Sequence, residues 1–84
     1  MRETAVVLSG GLFTTPSAKT AHGLVRGPSR FEVLALVDAA HPGADAGELL
    51  DGRRRAIPVH ASLRDCLASG SKPQWIVVGV ATSG

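Results

Sequence analysis

Residues Ala5-Val6-Val7-Leu8-Ser9-Gly10-Gly11-Leu12-Phe13-Thr14-Thr15-Pro16-Ser17-Ala18 carry the strongest architectural signal in the chain. Four consecutive apolar residues, two of them β-branched, read as a strand covered on both faces, as in a parallel sheet. Ser9-Gly10-Gly11 stops it. After the loop at residues 12–14, Thr15 can cap free backbone N–H groups, and Pro16 suits the first helical position because it has no N–H to lose. The predicted helix runs to about Val25. Ala18, Ala21, Leu24 and Val25 recur at three- and four-residue intervals as one apolar stripe, while Lys19, His22 and Arg26 share another, solvated face. Gly27-Pro28 ends it. A strand, a glycine turn and a capped helix in this order form the first half of a βαβ unit.

The alternation continues outward from there. Residues 31–38, Phe-Glu-Val-Leu-Ala-Leu-Val-Asp, read as a second strand closed by Asp38, and a short helix follows at about residues 45–50, ended by Asp51-Gly52. Ile57-Pro58-Val59-His60 is a brief third strand; its proline forfeits a ladder bond, which puts it at an edge. Ser62 caps a helix over about residues 63–69, with Leu63, Cys66 and Leu67 on one side and Gly70 closing it. The last strand, residues 75–80, is apolar on both faces. The order β-α-β-α-β-α-β predicts an α/β fold: a Rossmann-like three-layer sandwich whose four-stranded parallel sheet has strand order 3-2-1-4 and helices on both faces. With no helix after the final strand to cover its side of the sheet, the 84 residues are expected to be one domain of a larger protein.

Composition narrows the function classes. Hydrophobic residues make up 44% of the chain, but twelve are alanine, so the core is thin. The apolar residues nonetheless fall in blocks, and only 19% of residues are charged, which marks a folded chain. The longest apolar run, residues 76–81, falls far short of the roughly 18–20 residues that span a bilayer. No membrane partner is expected. The apolar run at residues 5–8 is likewise too short for a secretory leader. With a single cysteine, Cys66, the chain has neither an internal disulfide nor a structural zinc set, so a cytoplasmic location is expected. The net charge of +2 would suit a nucleic-acid binder only if it clustered on one face. Arg53-Arg54-Arg55 is the one basic run and reads as a solvated loop. Two phenylalanines, one tryptophan and no tyrosine give no stacking platform, so nucleic acid is not an expected partner either.

Ligands of doubly wound sheets bind beyond the carboxyl ends of the strands. The candidate binding residues there are Gly10, Gly11, Thr14, Thr15, Ser17 and Lys19 after the first strand, Asp38 after the second, and Thr82 and Ser83 after the last. Gly10-Gly11 lets the backbone turn tightly, and the following helix start would favour a phosphate or carboxylate. The spacing is not G-x-G-x-x-G, because Leu12 and Thr15 stand where the second and third glycines would be. Asp38 occupies the place at which dinucleotide folds hold a ribose hydroxyl, yet an aspartate capping its own turn is equally natural there. His41 and His60 follow strand ends without a third ligand, so no metal is expected. No nucleophile, base and acid stand together, and the catalytic residues stay unknown.

The blocks Leu8-Ser9-Gly10-Gly11-Leu12-Phe13-Thr14-Thr15-Pro16-Ser17-Ala18-Lys19-Thr20-Ala21-His22-Gly23-Leu24, Val37-Asp38, His41-Pro42-Gly43-Ala44-Asp45-Ala46-Gly47 and Val78-Gly79-Val80-Ala81-Thr82-Ser83-Gly84 resemble the N-terminal Rossmann-like domain of the DUF1611 family. That family includes the D-glutamate N-acetyltransferases of the DgcN type. The resemblance implies a domain that shares a small-molecule cleft with a C-terminal P-loop domain not contained in these 84 residues, and that is inactive without it. It implies acetyl-CoA or a nucleotide as the ligand of the larger protein, and leaves a homo-oligomer open. The rival expectations are a noncatalytic scaffold or dimerisation module, and a dinucleotide-binding domain.

Overall fold

The computed structural model describes residues 3–80. Four parallel strands, β1 (Glu3–Leu8), β2 (Phe31–Val37), β3 (Val59–His60) and β4 (Trp75–Val78), form one sheet in the order β3-β2-β1-β4. Three α-helices, α1 (Lys19–Arg26), α2 (Ala46–Asp51) and α3 (Leu63–Ala68), connect them. This is the expected α/β architecture and strand order. Right-handed crossovers are compatible with this order, which is that of half of a doubly wound sheet.

Side-chain alternation divides the core between the two faces of the sheet. Val7 and Leu36 look toward α1 and α2, where they meet Ala18, Ala21, Val25, Ala46 and Phe13. Val6, Ala35 and Val37 look the other way, toward Cys66 of α3. A bulge between Ala5 and Val6 inserts Leu34 into β2, pairing Ala5 with Val33 and Val6 with Ala35. Since a one-residue slip exchanges the faces of a strand, the bulge lets both Val33 and Leu36 serve the α1 face although they lie three residues apart.

The helix ends follow local chemistry. Thr15 caps as expected, its side chain accepting from the Ser17 N–H, but Pro16–Ala18 forms a 3-10 turn and the α-helix starts only at Lys19. Asp45 caps α2 by accepting from the Glu48 N–H, and left-handed Gly52 closes that helix. Ser62 accepts from the Asp65 N–H and caps α3. β3 is an edge strand and excludes Pro58, in line with the missing N–H of proline.

β4 departs most from expectation. It ends at Val78 rather than Val80, and Trp75, Ile76 and Val78 are exposed rather than buried. The physical reason is position. β4 pairs with β1 alone, so it is an edge, and α3 lies over β2 and β3 instead. Gly79 follows in a tight fit: a Cβ there would stand 2.7 Å from the Ala21 Cβ and 2.8 Å from the Val7 Cγ1. That closeness lets the Ala21 N–H reach the Gly79 carbonyl at 2.9 Å, joining α1 to the end of β4.

Candidate functional site: the carboxyl-edge loops

The loop after β1 is a chain of short turns. The Leu12 N–H donates to the Ser9 carbonyl at 2.8 Å across Gly10 and Gly11, whose φ angles are +57° and +84°. Two successive left-handed residues suit glycine, the residue without a Cβ penalty. The Thr15 N–H and hydroxyl then both donate to the Leu12 carbonyl, at 2.9 and 2.7 Å. Phe13 turns inward and is fully buried, with its ring edge-on to His22 at 5.1 Å between centroids. A His22 ring nitrogen contacts the Phe13 carbonyl. His22 is therefore half-buried against the loop, not part of the solvated face expected for it.

Asp38 fastens these turns to the next loop. Its side chain is fully buried, and Oδ2 accepts from the Ser9 hydroxyl and the Phe13 N–H, both at 2.9 Å. Oδ1 accepts from the Ala40 N–H at 2.9 Å and stands 3.3 Å from His41 Nδ1, which donates when it carries the proton. Burial pushes the Asp38 carboxyl up, but the Phe13 amide, the Ser9 hydroxyl, the Ala40 amide and His41 together hold it below its ordinary value. The carboxylate is engaged on both oxygens by the protein itself. Of the two readings of Asp38 open from sequence, its geometry is that of a turn cap joining two loops.

Around this clamp, Gly10, Thr14, Ser17 and Lys19 are exposed, and Gly11 and Thr15 are half-buried. The Thr15 hydroxyl is spent on the Leu12 carbonyl and the Ser17 N–H. Gly10 and Gly11 have open space where a Cβ would project, so another molecule can approach their backbone closely. Thr82 and Ser83 lie outside the described residues. Ser9, Phe13 and His41 complete the cluster and were not among the expected site residues. A lone phenylalanine inside a polar glycine loop was the available signal for an inward anchor.

Other features lie away from this edge. One surface cavity of about 320 Å³ is lined by Gly43, Asp45, Glu48, Arg54, Ala56 and Pro58. Another, of about 360 Å³, lies between the end of α1 and the start of β2. Buried Asp45 organises the first region by accepting from the Glu48, Arg55 and Ile57 N–H groups. Arg55 leaves the expected solvated run to chelate Asp51 at 2.7 and 2.9 Å, which holds the Asp51 carboxyl down at about 2. Among the described residues no group of three or more His, Cys, Asp or Glu is placed to hold a metal, and no helix is long and apolar enough to cross a membrane.

Comparison with known proteins returns no matching family model, no matching curated protein and no matching solved structure.

Proposed function

We propose that this chain is the N-terminal Rossmann-like domain of a DUF1611-like protein, a family with D-amino acid N-acetyltransferases among its members, and that its carboxyl-edge loops form one wall of a small-molecule cleft. The other wall is the P-loop domain of such proteins, and turnover needs both. The observation that carries the reading is the Asp38 clamp. It spends a buried carboxylate on tying the open Gly10-Gly11 turn and the Phe13 backbone to the loop after β2, with Thr14, Ser17 and Lys19 exposed beside it. A preformed backbone next to a lysine and two hydroxyls suits a phosphate or carboxylate group.

The test is a titration of the 84-residue chain with acetyl-CoA, ATP, NAD(H) and D-glutamate, following thermal shifts and the amide resonances of Gly10, Gly11, Thr14, Ser17 and Lys19. Movement of these amides with one anionic ligand is the expected result. If none of the four moves them, the wall has no site of its own. A second reading, a noncatalytic scaffold, draws on the position of the two surface cavities, neither of which is lined by the Gly10 to Lys19 loop. It predicts that Lys19→Ala in the full-length protein leaves activity intact.

A further inference from the structure

The chain has three histidines, and the carboxyl-edge loops draw on all of them in different ways. His22 turns Nε2 to the Phe13 carbonyl, an acceptor, so its ring proton sits on that nitrogen. His60 gives only its backbone carbonyl, to the Asp38 N–H at 2.9 Å. His41 alone faces a charge. Its Nδ1 lies 3.3 Å from Asp38 Oδ1, and its backbone is pinned by the His41 N–H to the Asp38 carbonyl and the Ala44 N–H to the His41 carbonyl.

The carboxylate cannot turn away from this ring, because Ser9, Phe13 and Ala40 hold both of its oxygens. Those donors also keep it below its ordinary value, so it is ionised at neutral pH and offers acceptors only. Nδ1 must then carry the ring proton, which leaves the lone pair on Nε2. Among the described residues nothing bonds to Nε2, and 28% of the His41 side chain is exposed. Nor does any described lysine or arginine form an ion pair with the buried Asp38; His41 is the one cation available to it. Oδ1 holds His41 while Oδ2 holds Ser9 and Phe13, so the imidazole and the open Gly10-Gly11 turn flank one carboxylate.

We propose that His41 Nε2 is the proton acceptor of the carboxyl-edge cleft, oriented by Asp38, and that it serves a ligand whose amine loses a proton on acylation. This rests on the cleft proposed above and names its base. In such a transfer the amine nitrogen bonds to the carbonyl carbon of an acyl thioester, the carbon–sulfur bond breaks, and the sulfur leaves with the electron pair. Nε2 takes the amine proton, and the imidazolium passes it to the departing thiolate, so protons and charge balance. The positive ring forms beside Asp38, which fixes its tautomer and orientation throughout and so acts as a positioning residue.

The experiment reads the imidazoles of the full 84-residue chain in long-range proton–nitrogen NMR spectra at about pH 8.5, where histidine is ordinarily neutral. His41 is expected as the Nδ1–H tautomer and His22 as the Nε2–H tautomer. In Asp38→Asn, whose NH2 turns toward His41, the His41 proton should move to Nε2, a reversal that a histidine merely filling space would not show. Two further readouts need no variant to fold. Diethyl pyrocarbonate, which acylates a free imidazole nitrogen, should modify wild-type His41 at least about tenfold faster than His22, mapped by mass spectrometry of the peptides. N-acetyl-D-glutamate, whose blocked amine does not consume the reagent, should slow that modification at least about twofold at the concentration that moves the Gly10 amide. A His41 proton on Nε2 in the wild type, modification no faster than at His22, or a Gly10 shift without protection of His41 overturns the proposal and leaves the cleft wall standing. If neither the Gly10 amide nor the His41 rate responds, the wall itself has failed and the proposal falls with it.

Discussion

Replacing Asp38 tests the clamp directly. In Asp38→Asn the better amide orientation keeps its oxygen toward Ser9 and the buried Phe13 N–H, and turns its NH2 toward Ala40 and His41. The exposed Ala40 amide can turn to water, so the losses are one hydrogen bond and the ionic strengthening of the others, about 2 kcal/mol together. Asp38→Ala leaves the buried Phe13 N–H without an acceptor, while the Ser9 hydroxyl still reaches the Val37 carbonyl at 3.1 Å, and should cost about 2–4 kcal/mol. A domain of 84 residues has only about 4–13 kcal/mol in all at roughly 0.05–0.15 kcal/mol per residue, so the alanine variant should lose a large share of its stability. Urea unfolding followed by circular dichroism reads both values. The pH dependence supplies a second check. The folded-state carboxyl is held below its unfolded value, so its contribution is fully present above that unfolded value, about 3.9, and is lost as pH falls through the folded one. The gap between wild type and Asp38→Asn should therefore narrow below about pH 4. A gap under about 0.5 kcal/mol at pH 7, or one that does not change with acid, would refute the clamp.

Other substitutions probe the fit of the loops. Gly79→Ala forces a methyl group into the contact among Val7, Ala21 and the end of β4, and should cost about 1–3 kcal/mol. In a calorimetric scan each kcal/mol lowers Tm by about 4–8 °C at this chain length. Gly10→Ala meets no neighbour within 4 Å, so only the left-handed backbone is penalised, by about 1–2 kcal/mol, and a smaller Tm loss than for Gly79→Ala is expected. Removing the guanidinium with Arg55→Ala should raise the Asp51 carboxyl from about 2 toward its ordinary value, visible in a carboxyl-carbon NMR titration. Asp51 lies below its unfolded value in the wild type, so its stabilising effect is present above about pH 4 and fades toward pH 2; the variant should lack that acid-side dependence.

Much of the candidate site was legible residue by residue, but not its wiring. Gly10 and Gly11 read as a tight turn because few other residues suit two left-handed positions in a row. Thr15 read as a cap because a hydroxyl just ahead of a helix start can accept a free backbone N–H, here that of Ser17. Asp38 was ambiguous for a sound reason. A carboxylate at a strand end serves a ribose or a turn equally well, and only the arrival of Ser9 and Phe13 from a distant part of the chain decides between them. His22 was misplaced on the same ground: periodicity puts it with Lys19 and Arg26, but the inward turn of Phe13 brings a ring and a carbonyl up to it.

Local chemistry in the sequence determined the class of the fold, the order of its strands, its caps and its turns. Strand periodicity, capping residues and glycine positions act within a few residues of themselves, and right-handed crossovers narrow the strand orders to a handful, of which 3-2-1-4 is that of a doubly wound half-sheet. Tertiary structure alone decided what each apolar or charged residue faces. β4 looks as apolar as β1, yet one lies at the centre of the sheet and the other at its edge, a difference set by which strands stand beside them. In the same way Gly79 and Asp38 owe their roles to atoms far away in sequence: Ala21 and Ser9. Burial and hydrogen-bond partnership are properties of pairs, and the pairs form only when the chain has closed on itself.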